Sequence, residues 1–259
     1  MRFTVVKKMA SKRKIAIKAV EFFLHKYPIV NALTLLMLFA ERAANESAPP
    51  INHRIIYANL IGFLGCALLM SSNIQRKAAA LFFCGQLGYF TYVFYSNKKL
   101  NYKEWLRLQV CTRQVGCIGI YLLFAYVIDR RKSVPLRRFA EIIMGLYLFA
   151  FTYLINNVHE VRSGVLSHMI GGEWGRYVVT VLIAACALSF FSGYFLRDMS
   201  LCAAVVIAFM VCTVDSDVDY WSRKGVHYWN QIRMIADSLC VCVGLIYAFF
   251  HLENRVKMD

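Results

Sequence analysis

Two ionisable residues stand where an apolar helix would bury them. Residues 114–128 and 238–252 are charge-free runs of 15 residues each. At about 1.5 Å per residue each run covers roughly 22 Å, short of the roughly 30 Å hydrocarbon core of a bilayer. To span, the first must reach back to Arg113 and the second to Asp237. Each run follows a polar stripe at i, i+4, i+8: Trp105, Gln109, Arg113 in one case and Trp229, Arg233, Asp237 in the other. A helix stacks such residues on one face. Corresponding members lie 124 residues apart, and the two intramembrane charges have opposite sign. An ionisable residue inside a span costs about 2.5–3.5 kcal/mol on insertion scales, so it turns toward protein or a water-filled cavity. Arg113 and Asp237 are therefore expected to approach each other. One reading is a buried registry clamp whose hydrogen bonds Gln109 and Arg233 complete. The other is a polar cavity that admits an anionic headgroup or couples to protons.

Other residues offer weaker chemistry. Asp215, Asp217 and Asp219 alternate as in a calcium loop, but the glycine at the sixth position and the glutamate at the twelfth are missing. A solvated acidic loop is the plainer reading, with a bound divalent ion as the weak alternative. His159, Glu160 and His227 are single polar residues in loops, and no nucleophile–base pair stands out. Neither catalysis nor a cofactor is expected. The nine cysteines (66, 84, 111, 117, 186, 202, 212, 240 and 242) all lie in or beside apolar runs. They read as small buried hydrophobes, with neither a disulfide framework nor a zinc spacing.

The elements that must carry these residues are membrane helices. Of 259 residues 59% are hydrophobic and only 17% charged, with a mean hydropathy of +0.50. Soluble domains average about 25% charged residues. The net charge of +15 lies largely in loops between apolar runs, so anionic lipid headgroups are the expected partners and nucleic acid is not. We expect an all-α membrane protein of about eight transmembrane helices, arranged as two parallel four-helix repeats. A basic N-terminal segment (1–19) precedes the first half (20–128), and Pro28 is a candidate kink. A basic linker (129–141), the second half (142–252) and a short tail (253–259) follow. Eight spans put both termini on one side, and a modest Lys/Arg excess assigns that side to the cytosol. The Asn45-Glu46-Ser47 sequon then falls on the other side. Arg255 and Lys257, near the chain end, resemble a retrieval signal of the endoplasmic reticulum or early Golgi.

The stripe spacing has echoes. Cys66-Ala67-Leu68 returns 120 residues later as Cys186-Ala187-Leu188, and Gly119 meets Gly244 at an offset of 125. These offsets point to an internal duplication of four spans, with halves related by an axis along the membrane normal. Gly62/Gly65, Gly85/Gly88 and Gly116/Gly119 are pairs at i, i+3 that allow close helix packing, within the bundle or at a dimer face.

Several phrases carry a family resemblance: Leu36-Met37-Leu38-Phe39-Ala40-Glu41-Arg42-Ala43, residues 102–113, residues 188–194 ending Ser192-Gly193-Tyr194, and Tyr220-Trp221 with Trp229-Asn230-Gln231. Together they resemble the transmembrane protein 101 family over nearly the whole chain. The resemblance implies a eukaryotic multi-pass protein of about eight helices and a link to NF-κB signalling. It brings no catalytic residues. The expectation is a non-enzymatic endomembrane subunit or adaptor that binds partner membrane proteins, or a second copy of itself, and also lipid. The alternative is a transporter or lipid-handling protein using a polar cavity between the halves.

Overall fold

The computed structural model describes residues 2–44, 53–72, 74–96 and 102–252. The sequon at Asn45 and the tail with Arg255 and Lys257 lie outside the described residues. Within them the chain is helical throughout: α1 (Arg2–Ala44), α2 (His53–Ser71), α3 (Arg76–Ser96), α4 (Glu104–Ile128), α5 (Val134–Asn157), α6 (His159–His168), α7 (Glu173–Ser192), α8 (Leu196–Met210), α9 (Val218–Arg223) and α10 (Tyr228–His251). Among the described residues seven helical segments are long and apolar enough to cross a membrane, α8 being counted with the turn that continues it to Asp215, and the apolar part of α2, Ile56–Ser71, is shorter. The outward faces are apolar, with Phe149, Val181, Leu188 and Val205 all exposed. Such a surface suits lipid and not water.

Two local readings change and one holds. The basic N-terminal segment is continuous with the first span, because α1 is one 43-residue helix that continues through Pro28. The two charge-free runs reach back as expected: Glu104–Ile128 has 25 residues and Tyr228–His251 has 24, so both helices start well before their charges and carry them inside. The polar stretch before the sixth span contains a further helix, α6, that ends in a turn at Gly171 and Gly172 with positive φ.

The crossing helices form a ring. Each packs on the next, α1 on α2 and so on through α8 on α10, and α10 closes back on α1. Arg13 near the start of the ring donates to the Phe250 carbonyl at its end, 3.1 Å. In addition α4 packs on α10 across the middle. Exchanging α1 with α5, α2 with α7, α3 with α8 and α4 with α10 maps each packing of the ring onto another and the central α4–α10 packing onto itself. The echo in the sequence follows the same exchange: Cys66-Ala67 and Cys186-Ala187 are buried, while Leu68 and Leu188 are 67% and 68% exposed.

The central contact rests on missing side chains. A Cβ at Gly244 would sit 2.1 Å from Ile120, one at Gly116 2.8–2.9 Å from Tyr147 and Val241, and one at Gly119 2.6 Å from Met144. Backbones approach closely there because glycine allows it. The other glycine pairs behave differently. Gly62 meets the Gln86 amide, but Gly65, Gly85 and Gly88 face open space. Close packing within the bundle is therefore seen at Gly62, Gly116 and Gly119, and Gly65, Gly85 and Gly88 are left to the dimer-face alternative.

Candidate functional site

The stripe on α4 is buried along its length: Trp105, Gln109 and Arg113 all face the core. On α10 Arg233 and Asp237 are buried, while Trp229 is half-exposed. Arg113 and Asp237 do not bond to each other. Arg113 Nη2 donates to Asp215 Oδ1 at 2.7 Å, with side-chain exposures of 2% and 7%. Asp237 Oδ1 accepts the Tyr27 hydroxyl of α1 at 2.5 Å, and the Asp237 carbonyl receives the Cys117 thiol at 3.4 Å. The expected pair is thus replaced by two centres, one at α4–α8–α10 and one at α1–α4–α10.

Asp215 belongs to the site because of a backbone irregularity. Helix α8 ends in a π-helical turn, Val211–Asp215. Widened turns of this kind recur at functional positions in helices. Here the turn buries Asp215, and Gln231 Nε2 of α10 holds the Asp215 carbonyl at 2.5 Å. The acidic triplet is therefore not a solvated loop, nor do its members converge. Asp217 caps α9 by accepting the Tyr220 N–H at 2.8 Å, and Asp219 is exposed. Among the described residues no group of three or more His, Cys, Asp or Glu is placed to hold a metal ion. One signal in the sequence could have pointed to Asp215. A buried arginine needs a carboxylate, and Asp215 directly follows the apolar run 199–214.

Around the two centres several polar atoms are buried without a protein partner: Arg113 Nε and Nη1, Arg233 Nε, Gln109 Oε1, Gln231 Oε1 and Asp237 Oδ2. Gln109 and Arg233 therefore do not complete a clamp. Four ionisable residues of balanced sign, Arg113, Arg233, Asp215 and Asp237, share the bundle interior.

A roof lies over the Arg113–Asp215 end. Trp221 of α9 is fully buried; its indole N–H donates to the Val214 carbonyl at 2.8 Å, and its ring lies 6.0 Å from that of Trp105. Gly164 of α6 lets that indole approach, since a Cβ there would sit 3.1 Å from it. His168 Nε2 meets Asp217 Oδ2 at 2.9 Å, and Ser163 pairs with the Tyr220 hydroxyl at 3.2 Å. The hydrogen bond to Asp217 raises the His168 pKa above the usual imidazole value against a smaller opposing effect of burial, and the same bond holds Asp217 below the usual carboxylate value. His227 stands 4.0 Å from Glu41. Neither α6 nor α9 was legible as a helix, yet together they seal this face.

Length, apolar exterior and charges turned inward define a polytopic α-helical membrane protein. Residues 9–249 match the model of the TMEM101 protein family, and the chain belongs to that family. No solved structure matches it.

Proposed function

We propose that the chain is a non-enzymatic subunit or adaptor of endomembranes, made of two four-helix halves derived by duplication. In this reading its interior charges hold the halves in register, and its outer surface receives partner helices and lipid. The observation that carries it is where the buried charges are spent. Arg113 is bonded to Asp215 and Asp237 to Tyr27. Buried pairs of this type are best attested as devices of registry. The open glycines of α3, Gly85 and Gly88, give a partner membrane protein or a second copy a place to approach. In this reading the chain sits in the membrane of the endoplasmic reticulum or early Golgi with both termini on the cytosolic side, which terminal epitopes in selectively permeabilised cells will check.

The test is gentle solubilisation of native membranes followed by native electrophoresis and mass spectrometry. We expect the 29.8 kDa chain in a heavier assembly with at least one other membrane protein. A lone chain that moves anionic lipid or protons in liposomes would overturn the reading. An NF-κB reporter, driven with and without the chain, tests the signalling expectation, and an unchanged response removes it.

A second reading has its own support. The partnerless buried atoms of Arg113, Arg233, Gln109 and Asp237 have the chemistry of a hydrated cluster, which a transporter of anionic headgroups or protons requires. Asp237→Asn separates the two. An adaptor keeps its assembly, whereas a proton-coupled carrier loses transport.

A further inference from the structure

On the face that carries the start of α1 and the end of α10, two cavities meet at one residue. The first, about 450 Å³, lies between the α2–α3 and α4–α5 turns and is lined by Arg76, Lys77, Arg130 and Arg131 with one acid, Asp129. That acid is already engaged by Lys77 Nζ at 2.7 Å. Arg130 and Arg131 are exposed, and among the described residues neither is ion-paired. The second cavity, about 260 Å³, is an apolar groove between α2 and α3 walled by Cys66, Leu69, Ala79 and Phe82. Gln75, held at a positive φ of 48° in the turn, lines both. Along α2 the groove reaches from the turn to Gly62, about two helical turns into the bilayer. Gly65 leaves it open, because no atom lies within 4 Å of where its Cβ would be.

A basic basin at the membrane surface that continues into an apolar furrow has the form of one amphiphile. From this geometry we infer a binding site for a single anionic glycerophospholipid. Its phosphate-bearing headgroup sits among Lys77, Arg130 and Arg131, and one acyl chain lies along Leu69, Gly65 and Phe82. Charge complementarity selects the headgroup, since the uncompensated cations favour an anion over a zwitterion. The furrow selects a lipid over free phosphate. The inference deepens the lipid part of the proposed function and is separable from it, because the partner assembly is measured independently.

The test is native mass spectrometry of the full chain in detergent, titrated with phosphatidylserine, with phosphatidylcholine of the same chains, and with inorganic phosphate. Each basic residue near a membrane surface contributes about a factor of five in affinity for anionic lipid. With Arg130 and Arg131 both free to act, we expect phosphatidylserine to bind about 25-fold more tightly than phosphatidylcholine, and inorganic phosphate not to compete. Arg130→Gln/Arg131→Gln should abolish the preference, while Arg223→Gln on the opposite face should keep it. Gly65→Leu should weaken both lipids by filling the furrow, and Ala78→Leu repeats that block from α3 should Gly65→Leu lower the melting temperature. Equal binding of the two lipids by the parent chain would overturn the site. So would a preference that survives the double arginine change, or phosphate competing as well as lipid.

Discussion

Arg113 and Asp215 form the interaction most exposed to a single change. Removing one partner of a buried pair leaves an uncompensated charge, typically at a cost of about 3–5 kcal/mol. Arg113→Leu is therefore expected to lower the thermal midpoint in detergent by many degrees, or to prevent accumulation. Arg113→Asp with Asp215→Arg should recover most of the loss, while Arg113→Asp with Asp237→Arg should recover none. Thermal unfolding of the three proteins distinguishes the two partners directly. The sequence located both buried charges, because an arginine and an aspartate had to enter spans otherwise too short. It did not reveal their partners. Asp215 looked like the first residue of a loop, and Tyr27 was one tyrosine among 15.

At the scale of elements, the glycines and the roof make separate predictions. Gly244→Leu drives a side chain into Ile120, and overpacking of this kind typically costs about 1–3 kcal/mol. Gly85→Ala and Gly88→Ala meet nothing and should be neutral or add up to about 1 kcal/mol each through helix propensity. Melting curves of the set in one detergent check both halves of the prediction. The roof depends on pH. Because folding raises the His168 pKa, that contribution is complete below the unfolded imidazole value near 6.5 and fades as pH rises through the raised value. Because folding lowers the Asp217 pKa, its contribution is complete above the unfolded carboxylate value near 3.8 and fades as pH falls through the lowered one. Amide exchange of α9, corrected for intrinsic rate, should accordingly be slowest in the mildly acidic window between the two and speed up toward alkaline pH. His168→Gln should flatten that dependence. Apolar periodicity and run length were enough to identify the crossing helices. They could not find α6 and α9, which are short, polar on one side and stabilised by tertiary contacts at Gly164, Trp221 and Asp217.

For the molecule as a whole, the offsets near 120–125 residues suggest an exchange of helices, and the ring of packings maps onto itself under that exchange. The central α4–α10 packing was expected from the two polar stripes, but not that Arg113 and Asp237 would each bond to a third residue, Asp215 and Tyr27. The α4–α5 turn is exposed and lies between the proposed halves. Co-expressed fragments 1–132 and 133–259 should therefore assemble and co-purify, and failure of the pair to associate would count against two docking halves. Helix α10 has a further consequence, for the order of biogenesis. Among the described residues it emerges from the ribosome after every other crossing helix, yet it packs on α1, α4 and α8 and brings the carboxylate that receives Tyr27. Until it inserts, the Tyr27 hydroxyl of the first helix lacks its carboxylate and the α1–α4–α10 centre is incomplete. The nascent chain must therefore be sheltered until 228–251 has entered the membrane. Ribosomal truncation before Tyr228 should leave a species that is cleared by membrane quality control and not a smaller stable bundle.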